Sequence, residues 1–63
     1  MKATLEVKMD NAAFSDQAAL ELSRILDTLR IGVLNDEVSK VGDSALAVDI
    51  NGNTVGKLQI VED

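Results

Sequence analysis

The most suggestive run in this sequence is Asp49-Ile50-Asn51-Gly52-Asn53, in which three oxygen-bearing side chains alternate around a glycine. Alternating oxygen ligands suit a hard cation such as calcium. A calcium loop of the EF-hand type also needs glycine at its sixth position and an acid at its twelfth. Counted from Asp49, those places hold Thr54 and Ile60, so the spacing fails where it discriminates. Asn51-Gly52 between two alternating apolar runs reads instead as a hairpin turn. Gly52 and Gly56-Lys57 are residue types of a phosphate loop, but at the wrong spacing and inside a strand pattern. Asp10, Asp16 and Asp49 would support carboxylate chemistry only if the tertiary fold drew them into one pocket. Histidine and cysteine are absent, which removes the usual zinc ligand sets, the commonest general base and a thiolate nucleophile. The expectation is a protein that is not an enzyme, with no catalytic residue, cofactor or metal site.

The elements that carry these residues are legible from periodicity. Residues 2–9 alternate, with Ala3, Leu5, Val7 and Met9 on one face and Lys2, Thr4, Glu6 and Lys8 on the other. That period of two fits a strand with one buried and one wet face. Asp10 to Ser15 breaks the pattern, and Ser15 or Asp16 is positioned to cap a helix over 17–31. At 100° per residue, Ala18, Leu22, Ile25, Leu26 and Leu29 form one stripe, the face expected to lie on the sheet. Glu21 with Arg24, and Asp27 with Arg30, can pair along the exposed side. Leu20 and Ile31 lie off the stripe, beside Arg24 and Asp27. Either they are isolated exposed aliphatics, which are common, or these four residues mark a second contact face. Residues 33–44 carry no single period and support no assignment, although Val38 and Val41 are candidate anchors to the core.

Residues 45–61 read as a hairpin. Leu46, Val48 and Ile50 alternate with Ala45, Ala47 and Asp49, and the larger set is expected inside. A three-residue, bulged turn places Gly56, Leu58 and Ile60 on that inner face and leaves Lys57 and Gln59 wet. Gly52 is then the residue of positive φ, and Gly56 makes room for a helix side chain. The order strand, helix, strand, strand gives an α+β fold, β-α-β-β. With the third strand central, every neighbouring pair is antiparallel, the sheet order is 2-3-1, and the helix covers one face.

At 63 residues the chain makes one domain, 1–63, with a small core. A small domain without disulfide or metal needs another staple, and self-association as a homo-oligomer, a dimer in the simplest case, remains by elimination. The net charge is −5, with six dispersed basic residues and a single aromatic, Phe14, which disfavours direct nucleic-acid binding. The longest apolar run, Ile31 to Leu34, is far too short to span a bilayer, and Met1 to Met9 lacks the apolar core of a secretory signal. A cytoplasmic location without membrane contact is expected.

Asp10-Asn11-Ala12-Ala13-Phe14 leading into a helix, and Asp49-x-Asn51-Gly52-Asn53-x-Val55-Gly56, resemble the small acidic proteins of tailed phages and prophages. The resemblance implies a bacterial context and transfers no activity. It implies a phage-encoded accessory factor that binds and blocks a host macromolecule, for instance a host protein of a defence system. The competing expectation is a structural or assembly protein whose main partner is itself.

Overall fold

The computed structural model describes residues 1–63. The strand β1 spans Lys2–Val7, a single 3-10 turn spans Ala12–Phe14, the helix α1 spans Ala18–Leu34, and β2 (Ser44–Val48) and β3 (Thr54–Val61) form the hairpin. The three strands make one antiparallel sheet in the order β1-β3-β2, so β3 is central. The fold is therefore α+β, with one helix packed on the sheet.

The connection from β1 to α1 is organised by Asn11, whose Oδ1 accepts the Ala13 N–H at 3.0 Å and caps the 3-10 turn. That turn presents Phe14 to the core. Neither Ser15 nor Asp16 caps the helix. Gln17 precedes it without a side-chain cap, and Ser15 donates to the Ala12 carbonyl. The 3-10 turn occupies the segment that would otherwise have brought a cap into place.

At its other end α1 continues through Gly32 to Leu34. It stops where Asp36 takes a left-handed conformation, φ +66°. The Glu37 and Asp36 N–H groups then donate back to the Gly32 and Val33 carbonyls, the paired bonds that close a helix end. Beyond it Val38 is buried, whereas Val41 is exposed. Asp43 holds this loop by accepting the Ser39 and Lys40 N–H groups at 3.0 and 3.1 Å.

The core cluster is Phe14, Ile25, Leu29, Ala47 and Val55, with Val7, Ala13, Ala18, Ala45 and Leu58 packed around it. Leu58 faces Leu5 and Ala45 across the ladder, and Ile60 faces Ala3, so β3 has the expected inner set. Gly52 has the expected positive φ, +87°.

The inner face of β2 is the reverse of the expectation. Ala45 and Ala47 point to the core, while Leu46, Val48 and Ile50 are exposed. Two causes act together. The helix lies directly against β2, so only alanine fits beneath Ile25 and Leu29. The irregularity in pairing also falls farther into the hairpin than a turn bulge would, at Ala47/Val48 opposite Gly56/Thr54. Val55 is the extra residue there, and the bulge turns it into the core beside Gly56.

Candidate functional site

Two carboxylates are buried at the junction of α1 and the hairpin: Glu21 is 7% exposed and Asp49 3%. Burying a charge is costly unless hydrogen bonds replace its water. Here they do. One Asp49 oxygen accepts the Asn51 and Asn53 N–H groups at 2.9 and 2.8 Å, which folds the turn around the carboxylate. The other accepts the side-chain amides of Asn11 at 2.7 Å and Asn53 at 3.2 Å. Asp49 thus ties the β1–α1 connection to the hairpin tip. The run that suggested calcium ligation aims its acid at N–H donors of its own turn.

Glu21 is held by Arg24, whose Nε and Nη2 donate to its two oxygens, both at 3.0 Å. The pair closes the free edge of β2. The Asp49 N–H bonds to the Asn53 carbonyl within the hairpin, so the alternate groups of Val48 and Ile50 point away from β3. Arg24 Nη2 donates to the Val48 carbonyl at 2.8 Å, and Glu21 Oε2 accepts the Ile50 N–H at 2.8 Å. One helix turn therefore supplies the acceptor and the donor that a neighbouring strand would bring. This protects the edge from pairing at that end.

The ionisation of these groups follows from the same contacts. Arg24 holds the Glu21 carboxyl below its ordinary pKa, helped by the Ile50 N–H and opposed by burial and by the Asp49 charge. Burial pushes Asp49 up, but the bonds from Asn53, Asn11 and Asn51 together outweigh it and leave the pKa lowered. The Ser39 and Lys40 N–H groups lower Asp43. Each carboxylate with a depressed folded pKa contributes stability above its unfolded value, and loses that contribution as pH falls through the folded value. The melting temperature should therefore hold from pH 7 to about 5 and fall below about pH 4. Asp49→Asn should flatten that acid limb. Equal melting temperatures at pH 7 and 3 would contradict this account of the buried carboxylates.

The sequence-derived contact face is only partly free. Arg24 is spent on Glu21 and Val48, and Asp27 pairs with Arg30 at 3.2 Å. Leu20 and Ile31 remain exposed. Exposed as well is a group that the sequence analysis places inside, the outward residues Leu46, Val48 and Ile50. Leu20 and Ile50, 63% and 68% exposed, flank the Glu21–Ile50 hydrogen bond. The most enclosed hollow of the molecule lies along this seam, between Arg24 and Thr28 of α1 and Leu46 and Val48 of β2. Its volume, about 140 Å³, is well below the several hundred of a small-molecule site. Asp10 and Asp16 do not join Asp49 in any cluster of three acids. No helix is long and apolar enough to cross a membrane.

No protein-family model matches the chain, and no curated protein or solved structure is significantly similar to it.

Proposed function

We propose that this protein is a non-enzymatic interaction factor. It binds another macromolecule through the apolar seam formed by Leu20 and Ile31 of α1 with Leu46, Val48 and Ile50 of the hairpin. The observation that carries this reading is an imbalance. Six apolar residues are buried, whereas twelve large apolar side chains are exposed. The chain also has polar chemistry at its centre that is consumed internally, since every hydrogen-bonding atom of its buried side chains has a partner. Apolar surface rimmed by charge is the ordinary substrate of protein association.

The partner fitting this surface is a protein. Lys2, Lys8, Arg24, Arg30, Lys40 and Lys57 are dispersed, and a surface of net charge −5 repels phosphate. The likeness of Asp10–Phe14 and Asp49–Gly56 to tailed-phage proteins supports a host protein as that partner. In this reading the factor works in the bacterial cytoplasm, blocks its target and is itself a homodimer. Bait carrying the wild-type chain should retain a bacterial protein at both 0.1 and about 0.5 M salt, because an apolar contact is little screened. Leu20→Asp with Ile50→Asp should abolish that capture while leaving the melting temperature nearly unchanged. Capture that survives the double substitution would remove the seam from the proposal. A defined self-assembly with no captured partner would favour the assembly role instead.

A further inference from the structure

The two outer edges of the sheet are finished differently. At the β2 edge, Arg24 and Glu21 take up the Val48 carbonyl and the Ile50 N–H. The β1 edge has no such brace. The Lys8 N–H donates to the Val55 carbonyl at 2.8 Å. With Glu6 opposite Lys57 and Thr4 opposite Gln59, that bond fixes the alternation of the ladder. Lys2, Thr4 and Glu6 turn their backbone groups toward β3, whereas Ala3, Leu5 and Val7 turn theirs outward. No loop or side chain bonds to those outward groups. Ala3 and Leu5 are exposed, and α1 takes its main strand contacts from β2, so the edge is open to a further strand.

The side chains of β1 say which strand fits. A second β1, laid antiparallel across a two-fold axis, can pair only in registers that set outward-bonding residues opposite one another. Centred on Ala3, the pair sets Lys2 against Thr4. Centred on Leu5, it sets Lys2 against Lys8, and centred on Glu6, two carboxylates meet. Centred on Val7, Glu6 meets Lys8, but Lys8 and Met9 lie beyond the strand and little of β1 overlaps. Centred on Thr4, Lys2 of each copy faces Glu6 of the other, and residues 2–6 overlap throughout. These are non-hydrogen-bonded pairs, whose side chains approach most closely. Neither Lys2 nor Glu6 has an ion-pair partner in its own chain. On the inner face the same register sets Ala3 against Leu5, which is 41% exposed in the single chain.

We propose that the protein dimerises by joining β1 to β1 of a second copy, antiparallel and centred on Thr4. The two three-stranded sheets become one continuous sheet with β2 at both outer edges. A two-fold axis normal to the sheet keeps both helices on the same face. This inference rests on the reading of the protein as an interaction factor and adds a division of labour. The β1 edge joins the copies, and the Leu20–Ile50 seam, at the opposite edge, stays free for the partner.

Sedimentation velocity at micromolar concentration should give a folded dimer for the wild type. Lys2→Glu sets like charges against each other at both symmetry-related pairs. It should raise the dimer dissociation constant at least about tenfold, with an unchanged circular dichroism spectrum because Lys2 is exposed. Adding Glu6→Lys to it exchanges the two signs and should restore the dimer. The chain has no cysteine, and Thr4 meets its own copy at the axis, at a separation a disulfide can span. Thr4→Cys should therefore oxidise to a covalent dimer in high proportion. Lys57→Cys, on the same face of the central strand, should not. The crosslink reads the register even if a charge variant fails to fold. A monomeric wild type, or a dimer that gives no Thr4→Cys crosslink, would overturn the proposal. Capture of a bacterial protein through the Leu20–Ile50 seam would in either case leave the interaction-factor reading standing. Loss of that capture with the crosslink intact would remove that reading and leave the dimer.

Discussion

Gly56→Ala should destabilise the protein more than any other single-methyl change, by about 3 kcal/mol or more, against a total near 3–9 kcal/mol for a chain of this length. Gly56 pairs with Val7 across the β1–β3 ladder. A Cβ built there would fall 1.8 Å from the Glu6 carbonyl oxygen and 2.9 Å from the Val7 Cα. Both are backbone atoms of a paired strand, so no rotamer change relieves the clash. Either β1 shifts away and its ladder weakens, or β3 moves and Val55 leaves the core. The crowding lies beside the bulge: Gly56 follows the extra residue Val55, and its Cβ position faces the β1 backbone while Val55 enters the core. The glycine therefore accommodates a neighbouring strand, not a helix side chain as the sequence suggests. Urea melts at fixed protein concentration measure the effect, since a dimer's midpoint depends on concentration. A loss below about 1 kcal/mol would mean that β1 does not approach Gly56 as closely as the ladder requires.

Ile25→Ala should cost about 2–5 kcal/mol. Ile25 is 1% exposed and is the largest fully buried side chain. It sits on the helix against Ala47 and Val55 of the sheet and beside Phe14 and Leu29. In a larger protein neighbours relax into such a cavity. Here Ala47 has nothing to extend, and Phe14 is fixed by the 3-10 turn whose cap is Asn11. Most of the loss should therefore be retained as an unfilled cavity. Leu20→Ala, at an exposed position of the same helix, should cost less than about 0.5 kcal/mol. Comparable losses at the two positions would mean that the helix is rotated from the face described.

Much of this architecture is legible in the chain because the signals are local. Alternation over Lys2–Val7, the helix formers after Ala18 and Asn51-Gly52 each act within a few residues. The central place of β3 followed from the requirement that neighbouring strands run antiparallel, and its inner residues from burying Leu58 and Ile60 together. The candidate site was less legible. Glu21 and Arg24 at i,i+3 announced their pair, but not that it faces the hairpin. The spacing Asp49-x-Asn51-x-Asn53 carried a usable signal, since an aspartate two residues before a turn amide commonly accepts from it.

By itself, the sequence determined the type and order of the elements, the sign of φ at Gly52 and the surplus of apolar side chains over what one small core can hold. Periodicity, turn chemistry and composition need no knowledge of distant neighbours. Only the tertiary structure decided which face of β2 is inside, why Gly56 must be glycine, and that Glu21 and Asp49 are buried as braces. Each depends on a distance between segments far apart in the chain. A helix seated close over β2 admits alanine and excludes leucine. That seat also brings Glu21 to the hairpin edge.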